Sequence, residues 1–417
     1  MIKLKRSLTV LIILYFIKGI ATNIHHPLMP SYVDHLNLPK YMFGFLFAFM
    51  NLGMMLGSPY FGNLSDQGKK KSSLIVGLLI YGVAQLLFGL GDYFNGWILS
   101  ALRLISGFGI AASFTVLTSE MVTISDKGNR ARNLGIAAAL TTLGGSIGQF
   151  IGGFVHTNSF FVRVFGMDKF FNVLLLQFGF VMILILLVVV LFKPKEQVVV
   201  NTEKRAQFWE GFKEVKNISK ELLFFMIALV LITIAATNVD KYIDVFISDS
   251  GYLANTIGNF KMVSGLVSIF ASLLVVPVLV KFKDKINVMI ALQVLSAIIT
   301  VFVFRISPLG IIVNLYTFFM FYVVLKTSFA PLEQEHVASF AKANNISKTM
   351  GLRQAFYASG TIIGPIFGAF IYEYNPKLLF DISAVLFIIA IVFLVISKKL
   401  KNQTNNIETL ESNNLEV

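Results

Sequence analysis

The chain has 417 residues, of which 56% are hydrophobic and only 14% are charged. Polar side chains this scarce cannot cover a soluble globule of that size, so the composition excludes one and predicts a protein that lies largely in lipid. The 35 Lys and Arg outnumber the 22 Asp and Glu, a balance that can indicate a nucleic-acid partner. The sequence has no cysteine, which excludes disulfides, thiolate metal sites and cysteine nucleophiles.

Twelve apolar runs are long enough to cross a bilayer, whose core of about 30 Å requires about 20 residues of helix. The run that opens the chain has the basic and apolar regions of a signal peptide. No small-residue cleavage site follows it, so we predict that it is retained as the first span. The predicted spans are centred on residues 8–33, 41–62, 73–92, 95–119, 133–156, 171–193, 222–247, 253–280, 286–304, 308–331, 349–372 and 377–397.

The spacing of these runs divides the chain into four predicted parts. Residues 1–193 form an N-terminal six-helix bundle and residues 222–400 form a C-terminal six-helix bundle. Residues 194–221 between them are charged and form a cytoplasmic central loop. Residues 401–417 are polar with almost no apolar content, which predicts a disordered cytoplasmic tail.

The two halves of the sequence repeat each other. IATN at residues 20–23 matches AATN at residues 235–238, an offset of 215, and Glu120 matches Glu335 at the same offset. The fifth and eleventh spans also match, at an offset of 216. A six-helix unit duplicated in one orientation is typical of transporters whose halves rock about a central site to give alternating access.

The positive residues indicate the orientation in the membrane. If the amino terminus is cytoplasmic, the inner segments between the predicted spans hold 24 Lys and Arg and the outer segments hold only five. The positive-inside rule therefore predicts that both termini are cytoplasmic. Since topology explains the basic balance, it requires no nucleic-acid partner, and the cytoplasmic face suits anionic membrane lipids.

Residues 62–74, GNLSDQGKKKSSL, connect the second and third spans. They resemble the loop pattern GxLaDrxGrkxxL of the major facilitator superfamily, although Gln67 replaces a usual basic residue and Lys69 a usual glycine. The resemblance implies that Asp66, with the basic residue Lys70, acts as a cytoplasmic latch between conformations. An acid beside a basic turn can dock on a helix amino terminus and pair with a cation. The alternative is a solvated charged turn.

Arg103 lies inside the fourth span, where residues 103–112 resemble the family pattern RxxqGxgaa with Ser106 in place of the glutamine. A charge within a span is costly unless it faces the protein interior or water. We predict that Arg103 faces the central cavity, where the resemblance implies a part in proton coupling. The alternative is a structural arginine bound to backbone carbonyls.

Glycines spaced four residues apart in the fifth span resemble the antiporter pattern GxxxGPxxGG of drug and proton exchangers, with Gln149 in place of the proline. Small residues let helices approach closely and proline bends them. GxxxG marks helix packing in any membrane protein, but its position here favours an exporter. We predict conformational roles for these glycines and for three residues of the eleventh span: Gly144, Gly148, Gly152, Gly364, Pro365 and Arg353.

The remaining charges within the spans indicate the transport pathway, because an intramembrane charge is a functional candidate by default. Asp240 and Lys241 align with His25 and His26 across the repeat, so we predict a facing cluster that can carry the exchanged proton. The alternative is that Asp240 and Lys241 snorkel to the outer interface. The predicted pathway comprises Lys18, Asn23, His25, His26, Arg103, Asn238, Asp240, Lys241, Lys261 and Lys326.

These observations predict an all-α membrane protein with the major facilitator fold, its twelve transmembrane helices arranged as two six-helix bundles. We expect a monomeric, multi-pass plasma-membrane transporter that exports small amphipathic or drug-like compounds by proton antiport, with no cofactor, metal or nucleic acid. The alternative is an exporter or flippase of a specific anionic metabolite or lipid. An enzyme is disfavoured because no nucleophile, metal or phosphate-binding motif stands at a credible position, and a channel would not need the antiporter pattern.

The asymmetry of Lys and Arg predicts the result of a topology assay. Reporter domains fused after residue 210 and at the carboxy terminus should both report a cytoplasmic location, with green fluorescent protein fluorescent and alkaline phosphatase inactive, because the positive-inside rule retains both segments there. Alkaline phosphatase and green fluorescent protein fusions measure this directly. An extracytoplasmic signal at either position would contradict the twelve-span topology.

Overall fold

The computed structural model describes residues 2–126, 129–165, 168–194, 218–306, 309–340 and 346–415. In this described part of the chain, twelve helices are long and apolar enough to cross a membrane, which confirms the predicted all-α membrane fold. Most of the predicted central loop, residues 195–217, lies outside the described residues.

Each predicted apolar run falls on one of the twelve helical spans. The spans of the first half are Ser7–His35, Tyr41–Asp66, Lys70–Phe88, Gly96–Ile124, Arg132–Thr157 and Lys169–Leu191. The spans of the second half are Lys220–Asp249, Ala254–Leu279, Lys285–Ile306, Ile311–Ala338, Thr349–Tyr374 and Pro376–Lys401. A short helix, Ser159–Phe165, stands between the fifth and sixth spans.

The first span is broken near its outer end. Its α-helix Ile2–Asn23 is followed by a 3-10 turn, His26–Leu28, and by a second helix, Met29–His35. Pro27 causes the break, since proline lacks an amide hydrogen and its ring clashes with the carbonyl one turn earlier. The break places His25 directly before the 3-10 turn, two residues after the preceding helix ends at Asn23.

Three spans of the second half are also irregular. The eighth span runs as helix Ala254–Phe270, π turn Ala271–Val275 and helix Val276–Leu279. The ninth consists of helix Lys285–Val301 and π turn Phe302–Ile306, and the tenth of helices Ile311–Tyr316 and Phe318–Ala338. Turns of this kind often mark functional sites or points of bending.

Contacts divide the described residues into two compact units. The first draws its residues from Met1–Gln207, Lys241–Ile269 and Pro365–Glu373, and the second from Phe208–Asp240, Phe270–Gly364 and Tyr374–Val417. The seventh, eighth and eleventh spans are therefore shared between units. The predicted division into bundles at 1–193 and 222–400 remains a prediction.

The carboxy-terminal segment differs from the expectation. The sequence predicts a disordered tail from residue 401, whereas the structure continues the last helix, Pro376–Leu415, through this segment. The tail contains neither proline nor glycine, so no residue in it ends a helix.

Glycine contacts bring the first and fifth spans together within the first unit. Added Cβ atoms would collide with backbone atoms of the first span at each of the three predicted glycines. Gly144 faces the carbonyl oxygen of Phe16. A Cβ on Gly148 would lie 2.5 Å from the carbonyl oxygen of Ile20. Gly152 faces the Ile24 carbonyl in the same way. The stripe thus allows backbone-to-backbone packing that no larger residue permits.

The fifth span also packs against the eighth. A Cβ on Gly153 would lie 2.5 Å from the Ala254 carbonyl oxygen, and one on Gly258 would lie 2.7 Å from the Gln149 carbonyl oxygen. Small residues therefore line two faces of the fifth span. One face meets the first span and the other meets the eighth, so the fifth span is held by close packing on both sides.

The repeat of this packing appears in the second unit, between the seventh and eleventh spans. A Cβ on Gly360 would lie 2.7 Å from the Thr233 Cβ, and one on Gly364 would lie 3.2 Å from the Ile234 carbonyl oxygen. Pro365 belongs to the first unit, where its carbonyl oxygen accepts a hydrogen bond of 2.7 Å from the Tyr242 hydroxyl.

Replacing Gly148 by alanine should destabilise the protein by about 1–3 kcal/mol, because the added methyl must displace the Ile20 backbone. Gly135→Ala in the same span is the matched control, since nothing lies within 4 Å of a Cβ there. It should leave stability unchanged or raise it by less than about 1 kcal/mol. Thermal unfolding of the two purified variants measures the difference, and equal melting temperatures would contradict this account of the stripe.

Candidate functional site

Arg103 is fully buried and lies at the centre of a polar network in the first unit. Its Nη1 lies 2.8 Å from His25 Nε2 and donates to Gln85 Oε1 at 3.4 Å, while its Nε donates to the Leu46 carbonyl at 3.4 Å. A guanidinium has only donors, so His25 must accept at Nε2. Arg103 therefore holds His25 as a neutral imidazole with its proton on Nδ1.

Tyr81 extends this network, although no charge in the sequence marks it. Its hydroxyl accepts hydrogen bonds from Gln177 Nε2 at 2.5 Å and from Gln85 Nε2 at 3.3 Å. All three side chains are completely buried. Sequence reasoning missed them because it ranked residues by the cost of intramembrane charge. The available signal was that these neutral polar residues stand isolated within the apolar sequences of the third and sixth spans.

The predicted cluster of His25, His26, Asp240 and Lys241 forms only in part. The imidazoles of His25 and His26 stack with centroids 4.4 Å apart, and His26 stacks on Phe47 at 5.5 Å. Lys241 Nζ lies 4.3 Å from the Phe47 ring centroid, so it joins the histidines. Asp240 pairs instead with Lys326, because adjacent residues of a helix point about 100° apart.

Lys18 is buried against aromatic rings. Its exposure is 1%, and its Nζ lies 3.9 Å from the Phe114 centroid and 4.8 Å from the Tyr15 centroid. Among the described residues no carboxylate pairs with it. Asn23, one of the predicted pathway residues, lies further along the first span and donates from Nδ2 to the Gly19 carbonyl at 2.9 Å. It closes the end of that helix rather than facing Lys18.

Two more predicted residues have defined partners. Lys261 forms an ion pair of 2.7 Å with the nearly buried Asp244 in the first unit. Asn238, in the second unit, is 1% exposed and stands against the eleventh span, where a Cβ on Gly364 would lie 3.5 Å from its Oδ1.

A cavity of about 630 Å³ opens in the second unit. Asp240 and Lys326 form an ion pair in its wall, and their side chains are 27% and 46% exposed. The rest of the wall mixes apolar and aromatic surface with neutral polar groups. Its remaining members include Leu229, Ile232, Thr233, Gln293, Ser296, Tyr322, Phe329, Glu333, Tyr357 and Phe387.

Glu333 and Arg353 form a buried pair beside this cavity. The carboxylate accepts from Arg353 Nε at 3.1 Å and from Nη2, and the guanidinium stacks 5.0 Å from the Tyr357 ring centroid. A forked, two-point contact of this kind fixes the arginine more tightly than a single bond does. Arg353, predicted to act in gating, therefore links the eleventh span to the tenth.

An ion pair near the loop of residues 62–74 recurs at the equivalent positions of the second half. Lys70 pairs with Glu120 at 2.8 Å, and both side chains are almost completely buried. At the positions 215 residues later, Lys285 pairs with Glu335, where the carboxylate is 47% exposed. Asp66 is half-buried at the last residue of the second span. Sequence reasoning noted the Glu120 repeat but assigned Glu120 no partner.

The family can be stated from the comparison with known sequences. A sequence profile of the Major Facilitator Superfamily matches residues 11–338 and 248–413. This chain belongs to the Major Facilitator Superfamily. It is therefore a transporter of small molecules rather than an enzyme, and its twelve spans make it a multi-pass plasma-membrane protein.

Two bacterial relatives are named for drug resistance. Multidrug resistance protein 2 of Bacillus subtilis is 26% identical over 396 residues, which cover 93% of this chain and 94% of that protein. The quinolone resistance protein NorA of Staphylococcus aureus is 32% identical over 129 residues, 31% of this chain and 33% of NorA. This transporter thus resembles two proteins named for drug resistance, one of them over nearly its whole length.

Solved structures of transporters share the fold. A bacterial homologue of the human lysosomal transporter Spinster, in an inward-facing and unoccupied conformation, has a TM-score of 0.77 at 13% identity over 95% of this chain and 97% of its own. A D-xylose-proton symporter has a TM-score of 0.71 at 12% identity over 93% and 96%. At these identities the likeness confirms the predicted fold and carries nothing about cargo.

The repeated ion pairs predict unequal effects of matched substitutions. Glu120→Gln should cost about 3–5 kcal/mol of stability, because it leaves the buried Lys70 ammonium without its counter-charge. Glu335→Gln removes the equivalent carboxylate from a solvent-exposed pair and should cost about 1 kcal/mol or less. Thermal unfolding of both purified transporters tests the ranking. Equal losses would show that burial does not set the value of these pairs.

Proposed function

We propose that this transporter exports small amphipathic or drug-like compounds in exchange for protons, by alternating access. The observation that carries the proposal is the Asp240–Lys326 pair in the wall of a cavity otherwise lined by aromatic and apolar side chains. The full-length similarity to a protein named for multidrug resistance supports export.

The cavity suits an amphipathic molecule. Tyr322, Tyr357 and Phe329 offer flat apolar faces for the body of a compound, while Gln293 and Ser296 offer hydrogen bonds. Broad aromatic surface with few polar anchors accepts compounds of different shape.

Asp240 supplies a proton site in the same wall. Protonation of its carboxylate ends the ion pair and leaves the Lys326 ammonium as a net positive charge in the cavity. A positive cavity repels cationic cargo, whereas the deprotonated acid attracts it. Cargo and proton thus compete for one group, and competition of this kind couples their movements in opposite directions.

The His25–Arg103 contact supplies a second proton-sensitive element. A protonated His25 cannot accept at Nε2, so a proton there would end the 2.8 Å contact and leave two buried cations side by side. The contact lies where Pro27 breaks the first span. Proton binding at His25 would therefore favour a rearrangement at this break.

Topology and gating complete the proposal. The distribution of Lys and Arg supports cytoplasmic termini, and we expect a monomer. The glycine stripes of the fifth and eleventh spans supply close-packed surfaces along which helices shift, and Asp66 with Lys70 forms the cytoplasmic latch. Lipids around the spans and protons are the remaining partners.

A specific observation favours a second candidate, the export of an anionic metabolite or lipid. Neither Lys18 nor Arg103 contacts a carboxylate among the described residues, and Arg103 Nη2 has no hydrogen-bond acceptor there. Two buried cations without counter-charges suit a cargo that brings a negative group.

Asp240→Asn should abolish pH-driven uptake of a fluorescent amphipath into inverted membrane vesicles, because an amide cannot take up the exchanged proton. Exchange of labelled for unlabelled compound without a gradient should persist, since the fold is unchanged. Retention of full pH-driven uptake by Asp240→Asn would refute the assignment of the proton to this acid.

Asp381→Asn is the matched control for this experiment. Asp381 is also an acid of the second unit in an ion pair, at 3.0 Å from Arg305, but it does not line the cavity. Its replacement should leave pH-driven uptake at the wild-type level. Loss of uptake in both variants would indicate general damage rather than a proton site.

A further inference from the structure

Most buried charges of the described residues are paired, but two buried cations, Arg103 and Lys18, contact no carboxylate. Each carboxylate that is deeply buried within a span has a cationic partner. Arg103 has neutral hydrogen-bonding partners in Gln85, His25 and the Leu46 carbonyl, whereas Lys18 Nζ lies over the rings of Tyr15 and Phe114. The compensated pairs are Lys70–Glu120, Lys261–Asp244, Lys326–Asp240 and Arg353–Glu333.

Aromatic rings compensate Lys18 only in part. A ring face attracts an ammonium through its quadrupole, but this attraction is smaller than the hydration that burial removes. Lys18 lies about 16 Å along its helix from Ser7, where the span begins, at about 1.5 Å per residue, which is farther than a lysine side chain reaches by snorkelling. An anion that reached Lys18 would therefore be bound by a group that lacks a counter-charge.

Phe114 is the cover over this ammonium. Its ring lies 3.9 Å from Lys18 Nζ and is itself 38% exposed, whereas Lys18 is 1% exposed. The ring of Phe114 thus lies between the buried ammonium and the accessible surface.

A pair of hydroxyl groups lies beside Phe114. Thr118, one helical turn away, is exposed, and its Oγ1 lies 3.2 Å from the Tyr15 hydroxyl. A hydroxyl pair next to the cover provides hydrogen bonds for a polar group.

We propose that Lys18 is the counter-ion for a singly charged acid group, a carboxylate, on an amphipathic cargo. The carboxylate takes the place of the Phe114 ring at the ammonium, with Tyr15 and Thr118 as hydrogen-bond partners, and the displaced ring packs on the apolar body of the cargo. One ammonium balances one negative charge, so a carboxylate fits better than a dianionic phosphate. This inference rests on the second candidate function, the export of a compound with a negative group, because the Asp240 site of the first candidate attracts cationic cargo.

Three probes that share one fluorophore test the proposal. Dansylglycine carries a carboxylate, dansylamide is neutral and dansylcadaverine is cationic. Binding to the purified full-length transporter is measured by fluorescence anisotropy without a pH gradient. The wild type should bind dansylglycine at least about tenfold more tightly than dansylamide, the size of one charge-assisted contact. Because no gradient is used, failure of proton coupling leaves this result unaffected.

Lys18→Met should remove the preference for dansylglycine and leave dansylamide binding unchanged, while Lys18→Arg should retain the preference. Lys169→Met is the matched control, because Lys169 is exposed but also lies over a ring, 5.2 Å from the Phe170 centroid. It should bind all three probes as the wild type does. An unchanged preference in Lys18→Met, or an equal loss of dansylglycine and dansylamide binding, would overturn the proposal.

A protection experiment on the wild type needs no variant to fold. The transporter is reductively methylated with and without probe, and modification at Lys18 and Lys169 is measured by mass spectrometry. Dansylglycine should lower modification of Lys18 several-fold and leave Lys169 unchanged, and dansylamide should protect neither. Equal modification of Lys18 with and without dansylglycine would overturn the proposal.

Discussion

The cost of holding a charge in hydrocarbon governs where the charged residues of this transporter lie. Most of them meet that cost by pairing, as Lys70 does with Glu120 and Arg353 with Glu333. Asp240 and Lys326 pair as well, but in the wall of a cavity where both side chains stay partly exposed. Pairing fixes structure where it is buried, and in the proposed function the partly exposed Asp240–Lys326 pair of the cavity wall is the one that exchanges a proton.

The two copies of the internal repeat have similar packing but differently charged residues at equivalent positions. Position 25 carries a histidine that accepts from Arg103, and the position 215 residues later carries Asp240, which pairs with Lys326. The backbone contacts that frame these positions are alike, since glycines of the fifth and eleventh spans approach the first and seventh spans. The framework is thus shared, while the first copy is cationic and the second supplies the acid. A transporter that exchanges protons for charged compounds needs both.

Much of the fold could be predicted from the sequence, and less of the site. The twelve spans, the family and the close-packing role of the glycines follow from local patterns, namely run length, motif and small-residue spacing. The partners of charged residues cannot be predicted in this way, because partners can be far apart in sequence. Lys326 and Asp240, for example, are separated by 86 positions. Gln85, Tyr81 and Gln177 were missed because candidates were chosen by the free-energy cost of placing a charge in the membrane. Neutral polar residues have a much smaller cost. The tail was predicted to be disordered from its composition, whereas helix continuation depends on the absence of a residue that stops it.

The central claim is that cargo and protons move in opposite directions through this transporter, and direct measurement of the proton movement tests it. Proteoliposomes that contain the purified transporter and a pH-sensitive dye in their lumen are prepared with a preset pH gradient. An amphipathic compound that the transporter accepts is then added. The account predicts that the compound accelerates collapse of the gradient in proportion to its own flux, and that liposomes without protein show no such effect. Movement of the compound with an unchanged luminal pH would contradict the account.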